Sequence, residues 1–310
     1  MTFDCKIKEK YLYRAYELNI ESEVLLPELL PLEHRKYVKP DISICYGEVP
    51  KNVRQSIDKG QTFNFEKNKM WFFIKKVAIL YIYNGNTIIV DLYENYNKDH
   101  LRLFILGSAF GMLLLQRNNV AVHGSALVID GKSVIFTGLS GAGKSTLSVA
   151  LRNRGYKFLT DDISVIGENS DGSFIVKPGF PQQKLCMDAM IKMNYSIEKF
   201  TKVNDDRDKY ALSVGSLFSK KSAPLAAIFE LVVDDVDNVE ITKVTSSEKL
   251  LRMMKNIYLI EVTRYSGMDN SFFKKCIEIA NKTSYYRISR PKKGFSIDQQ
   301  IELIIEKLKQ

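Results

Sequence analysis

Apolar and polar positions follow two different periods along this chain, and the change of period divides it. Up to about residue 97 the apolar positions come in short aromatic and β-branched runs. These are Tyr11-Leu12-Tyr13-Arg14-Ala15-Tyr16, Ile42-Ser43-Ile44-Cys45-Tyr46, Met70-Trp71-Phe72-Phe73-Ile74, residues 77–83 and Thr87-Ile88-Ile89-Val90. Such side chains suit a pleated, half-buried surface, so each run predicts a strand. Asn84-Gly85 between the last two runs predicts a tight hairpin turn. Pro27, Pro31, Pro40 and Pro50 punctuate the rest and argue against helix there. Residues 1–97 therefore read as a small β-rich N-terminal module without a catalytic cluster, suited to substrate docking or core support.

Over 99–117 the period becomes helical, with Leu103, Leu106, Phe110, Leu113 and Leu114 three to four residues apart. Gly107 and Gly111 share one face of that helix, which fits close packing on a sheet of the same chain or an oligomer seam. Residues 120–129 then form an apolar strand carrying His123. Asp130-Gly131 turns it back into the run Ser133-Val134-Ile135-Phe136-Thr137, placing His123 antiparallel to the second strand. Arg154-Gly155 predicts a helix end. Residues 156–166 read as one strand bearing Asp161-Asp162, 174–176 as a short strand, 184–193 as a helix and 204–210 as a polar loop able to move over a ligand. Strands at 225–233, 238–244 and 285–288 and helices at 247–258, 269–283 and 297–309 complete a second domain, 98–310.

The chemistry concentrates at Gly138-Leu139-Ser140-Gly141-Ala142-Gly143-Lys144-Ser145-Thr146, between the apolar strand and an amphipathic helix. That order is what a phosphate-binding P-loop requires. Glycines at 138, 141 and 143 let successive backbone N–H groups turn inward around phosphate oxygens. Lys144 supplies a charge for the β- and γ-phosphates, and the Ser145 hydroxyl suits Mg²⁺. The helix N-terminus points unpaired N–H groups and its positive dipole end at the same anion. Gly138, Ser140, Gly141, Ala142, Gly143, Lys144, Ser145 and Thr146 are the expected nucleotide-binding residues.

Composition narrows this little. The chain has 310 residues, 45% hydrophobic and 26% charged, with a formal net charge of +9. The lysines lie in scattered pairs, with no nucleic-acid-binding signature, so nucleic acid is not an expected partner. Cys5, Cys45, Cys186 and Cys276 are far apart and read as reduced thiols of a cytoplasmic protein. Residues 1–6 show no signal-peptide pattern, and the most apolar stretch, 101–115, is too short to span a bilayer comfortably, so no membrane association is expected.

Phosphoryl transfer also needs a carboxylate for the metal and a base for the incoming hydroxyl. Asp161-Asp162, one helix beyond the P-loop, offers both. Adjacent carboxylates on a flat strand would face opposite ways, so the strand is expected to end or bend there. His123 lies on an apolar strand, where packing is the common role, but its hairpin brings it toward Lys144. There it could polarise an attacking hydroxyl or hold Asp161.

His123-Gly124, the loop from Gly138 to Ser145, and Arg154-Gly155 leading to Asp161-Asp162 resemble, in residues and spacing, the catalytic domain of HPr kinase/phosphorylase. Beyond that core the chain is similar to the HPr-kinase-like serine kinases found with lasso-peptide and related peptide clusters. The similarity includes the Tyr-rich start at 11–16, the helix ending in Gln116-Arg117, Asp208-Lys209-Tyr210 and Pro224-Leu225. The resemblance implies an α/β P-loop kinase domain of the HPr kinase/phosphoenolpyruvate carboxykinase-like type, with a mixed sheet. It implies Asp161 as the base or acceptor-binding carboxylate, Asp162 and Ser145 at the metal, and His123 beside them, with oligomers common. The chain departs at Thr146, where the bifunctional enzymes have Glu, and it lacks their later glycine-rich signature, which the resemblance links to dephosphorylation. Only the kinase half is therefore implied.

The expected function is an ATP- and Mg²⁺-dependent kinase acting on a serine-type hydroxyl of a peptide or small protein, with a ribosomal peptide precursor among the candidates. Catalysis is expected to rest on Asp161, His123 and Lys144. The alternatives are a small-metabolite kinase of the same fold and a nucleotide-binding regulator without transferase activity.

Overall fold

Asn84 and Gly85 sit at φ 54° and 65°, the paired left-handed geometry that turns the chain in the three-residue hairpin loop between Ala78–Tyr83 and Thr87–Leu92. The computed structural model describes residues 9–32, 39–204 and 208–309, with Asn204 described by its backbone only. Residues 1–6 with Cys5, His34, and Asp205, Asp206 and Arg207 of the polar loop lie outside the described residues.

The chain divides into two units, Met1–Arg117 and Asn118–Gln310. The first is built on an 8-stranded mixed sheet in the order Leu30–Pro31, Tyr11–Ala15, Leu18–Ser22, Ile42–Tyr46, Thr87–Leu92, Ala78–Tyr83, Lys69–Ile74, Phe63–Glu66. The prolines do not exclude helix entirely: Lys51–Asp58 is helical, entered from Pro50. A proline there preserves every helical hydrogen bond, because the first N–H groups of a helix have no partner in any case.

The division falls after Arg117, not after residue 97, because the predicted helix packs on the first sheet. It runs as Lys98–Phe104, a π-helical stretch Ile105–Ala109 and Phe110–Gln116. Phe110 lies 6.3 Å from the Tyr16 ring and Phe104 6.2 Å from Phe72. Gln116 donates to Ile82 O at 3.1 Å, and its Oε1 accepts from Gly85 N at 2.9 Å. Gly111 is buried within the unit.

The second unit holds another 8-stranded mixed sheet, whose pairings close on themselves. Val120–Ile129 pairs antiparallel with Lys132–Gly138 and with Ile163–Glu168. Ile163–Glu168 pairs with Phe174–Val176, and that strand with the start of Ala223–Asp234. Ala223–Asp234 then runs parallel to Lys132–Gly138. Ser284–Pro291 and Glu240–Val244 extend the sheet beyond it. Asp130 and Gly131, at φ 48° and 78°, make the predicted hairpin turn.

The helix Lys144–Asn153 buries Leu147 and Leu151 in a core shared with Phe136, Phe229 and the Ile301 and Ile304 face of Ile297–Lys309. A smaller sheet, Gln182–Cys186, Lys209–Ser213 and Thr201–Asn204, packs Leu185 and Leu212 against Val149 of the same helix. Gln183 Nε2 donates to Ser148 Oγ at 2.7 Å, both residues fully buried. The predicted helix at 184–193 is therefore half strand, and only Met187–Lys192 is helical. Among the described residues no helix is long and apolar enough to cross a membrane.

Candidate active site

Two close backbone approaches shape the strand that enters the glycine loop. A Cβ at Gly138 would lie 2.3 Å from Leu231 O, and one at Gly124 would lie 2.2 Å from Phe136 O. Glycine at both positions lets neighbouring strands meet at the edge of the loop. Gly138, Gly141 and Gly143 all adopt positive φ, at 131°, 84° and 106°. Gly143 is the N-cap of Lys144–Asn153 and carries no side-chain acceptor, leaving the first-turn amides to a ligand.

Arg290, near the end of Ser284–Pro291, grips the loop through its backbone carbonyls. Its Nε donates to Ala142 O at 2.8 Å and its Nη2 to Gly141 O at 3.2 Å. With those carbonyls turned toward Arg290, the loop's geometry is fixed by a residue almost 150 positions away. The Lys144 ammonium donates to Gly138 O at 2.8 Å and Leu139 O at 3.1 Å. Burial lowers the proton affinity of Lys144, with Asp162 acting in the opposite sense.

The predicted single strand at 156–166 is two, Lys157–Thr160 and Ile163–Glu168, with the two aspartates at the break. Asp162 sits at φ 59°, so the chain bends where the two carboxylates must part. Asp161 is buried: Ser125 Oγ donates to its Oδ1 at 2.5 Å, and Lys184 N donates to its Oδ2 at 2.8 Å. Asp162 Oδ2 pairs with Lys184 Nζ at 2.8 Å. Burial and the neighbouring Asp162 charge raise Asp161, against the pull of its two donors. Burial also pushes Asp162 upward, but Lys184, Lys209 and His123 outweigh it and hold that carboxyl below the usual range.

His123 faces Ile163 across the sheet, and its ring stacks on Tyr258 at 5.6 Å with a 19° interplanar angle. Burial lowers its proton affinity, reinforced by Lys144, Lys209 and Lys184 and opposed by Asp162.

A cavity of about 360 Å³ brings His123, Ser140, Gly141, Gly143, Lys144, Ser145, Thr146 and Asp162 onto one wall system. Gly138, Ala142 and Asp161 are outside its lining, Ala142 and Asp161 being buried. Lys209, Arg290 and Phe295 also line it and were not singled out for the site from sequence. Lys184 was hidden by the helix expected over 184–193, and Arg290 by a strand expected to stop at 288. Ser125 carried no motif at all.

Among the described residues no three His, Cys, Asp or Glu side chains converge on a metal position. Mg²⁺ does not need such a cluster, because it keeps waters and takes one or two protein oxygens beside substrate phosphates. Ser145 and Asp162, on the same cavity, supply oxygen donors of that kind.

No protein-family model matches the chain, and no curated protein does. Among solved structures the chain is similar to the HPr(Ser) kinase/phosphatase from Coxiella burnetii. The sequence identity is 15%, the match covers 60% of this chain and 88% of that one, and the TM-score is 0.32.

Proposed function

We propose that this chain is an ATP-dependent phosphotransferase that moves the γ-phosphate onto a serine-type hydroxyl of a peptide or small protein. The observation that carries the reading is the shared cavity: Lys144 and Ser145 of the glycine loop line it together with Asp162 and His123. A phosphate cradle thus adjoins acid–base groups, which is what phosphoryl transfer requires and simple nucleotide storage does not.

The loop amides and Lys144 bind and orient the triphosphate. Ser145 and Asp162 would hold Mg²⁺, which when bound neutralises phosphate charge. The carboxylates divide their work by environment: Asp162, kept ionised beside Lys184, suits the metal, and Asp161, with raised proton affinity, suits the base. Asp161 is buried outside the cavity lining, so taking the acceptor's proton requires that wall to open locally; its carboxylate keeps lone pairs free beside the bonds from Ser125 Oγ and Lys184 N. His123, neutral through burial, can accept a hydrogen bond from the same hydroxyl.

A cavity of about 360 Å³ is near the lower end for small-molecule sites. It accommodates a donor more readily than an enclosed second metabolite, which favours an acceptor reaching in from outside, as a peptide side chain does. The site's position in a chain with four scattered cysteines suits a cytoplasmic enzyme.

Incubation with ATP, Mg²⁺ and candidate peptides, read by mass spectrometry for an added phosphate, tests the activity. Lys144→Ala should abolish transfer and weaken nucleotide binding. Asp161→Asn should keep nucleotide binding and lose transfer. Wild-type transfer by Asp161→Asn would remove the base role from that residue.

A further inference from the structure

Several large apolar side chains of the second unit are exposed, Leu139, Leu251 and Tyr265 among them, but of those described only Phe295 lines the cavity. It is 48% exposed, yet it belongs to the wall of the cavity that holds the glycine loop. It follows Gly294, at φ 88°, in the short link between Ser284–Pro291 and Ile297–Lys309. That link is fixed to the loop at its near end, because Arg290 donates to the Gly141 and Ala142 carbonyls. The far end is fixed as well: Ile297 and Ile301 are buried against the core that contains Leu147 of the loop's own helix.

The ring is therefore held at a set distance from the phosphate cradle while its surface stays open to the cavity. An exposed phenyl ring on a cavity wall gains nothing in the empty protein and becomes favourable when a flat aromatic ligand covers it. The same cavity also carries polar groups, among them Asp188, Lys192 and Ser296. Gln300 is buried; its Nε2 donates to Ser296 Oγ at 3.1 Å, while its Oε1 has no hydrogen-bond partner among the described residues.

We propose that Phe295 is the platform on which the base of the bound nucleotide stacks. The ring contributes through the area it covers, a contribution that does not depend on which base is bound. ATP and GTP should therefore gain equally from this ring, since every base presents a π-face. This rests on the phosphotransferase reading of the same cavity.

Equilibrium binding of ATP, GTP and inorganic triphosphate, each with Mg²⁺, tests it on the full chain. Phe295→Ala should weaken ATP and GTP by about tenfold each and leave triphosphate unchanged. Phe295→Trp should bind both nucleotides like the wild type. Its indole emission should be quenched by ATP and not by triphosphate, with the chain's one native tryptophan, Trp71, buried in the other unit. Equal ATP affinity in Phe295→Ala and wild type, with triphosphate bound by both, overturns the platform and leaves the phosphate loop standing. Equal losses for ATP and triphosphate also overturn it, since the ring would then be supporting the loop. A wild-type protein that binds neither ATP nor triphosphate removes the phosphate-loop reading and the platform with it.

Discussion

The Lys184 ammonium lies 2.8 Å from Asp162 Oδ2, while the backbone N–H of the same residue donates to Asp161 Oδ2 at 2.8 Å. One residue thus holds two adjacent carboxylates in different charge environments. The side chain stabilises Asp162 as an anion, and the main chain fixes Asp161 whatever side chain follows.

Lys184→Met separates these two effects, because methionine keeps the N–H and removes the charge. The side chains are 18% and 29% exposed, so the loss at neutral pH should be about 1–3 kcal/mol, below that of a fully buried pair. Asp162 is depressed from its ordinary 3.8, so the pair's stabilisation is present above that value and fades as pH falls through and below it. Urea unfolding at pH 7 and pH 3.5 should show a gap between wild type and variant that narrows in acid. A gap of equal size at both pH values would mean that the pair is not its source.

His123 gives a second pH dependence of the same sign at a higher pH. Its proton affinity is lowered from the ordinary 6.5, chiefly by burial, so protonation in acid is penalised in the folded protein. The stability tied to the neutral ring is present above 6.5 and is lost as pH falls below it. His123→Gln should flatten the fall of Tm between pH 7 and pH 5. An unchanged slope would show that the imidazole carries no such penalty.

Gly124→Ala should be among the most damaging small substitutions in the chain. The added methyl would meet Phe136 O at 2.2 Å and Phe136 C at 3.0 Å, both backbone atoms that cannot step aside without parting the hairpin. A loss of about 2–4 kcal/mol is expected, by the overpacking mechanism. Gly47→Ala, where the nearest atom is a methyl at 3.5 Å, is the control and should change stability by less than about 1 kcal/mol. Thermal unfolding of the two variants side by side decides it.

The cysteines report on the cavity directly. Cys186 is exposed and lines it, whereas Cys276 is fully buried with its thiol pushed up to about 12 by burial. At pH 8 an alkylating reagent should modify Cys186 and leave Cys276 untouched until the protein unfolds. ATP with Mg²⁺ should slow the Cys186 reaction several-fold, as read by peptide mapping. Lack of protection would argue that nucleotide does not occupy this cavity.

The glycine loop, its hairpin and the break at the aspartates were legible because each depends on local chemistry. Asp130-Gly131 and Asn84-Gly85 announce their turns by residue type. The hairpin between Tyr11–Ala15 and Leu18–Ser22 was not legible, because its turn places Tyr16 and Glu17 at φ 53° and 62°, residues that rarely take that conformation. The helix at Lys51–Asp58 was masked by the surrounding prolines. In the site, Lys144, Ser145, Asp162 and His123 could be placed by motif and order. Lys184 and Arg290 could not, since their meaning lies in contacts with atoms 22 or more positions away. A run such as Gln182–Cys186 reads equally as helix or strand until its partner Lys209–Ser213 is known.

The segment from Gln182 to Ser213 has the outward form of an insertion that could be trimmed or exchanged. The bond from Gln183 to Ser148 and the double hold of Lys184 on the aspartates argue otherwise. Excising it would leave a fully buried serine on the loop's helix without its partner and two acidic groups without their shared counter-charge. A chimera that borrows this glycine loop must bring that small sheet with it, and a shortened chain that omits it should not be expected to keep half the activity.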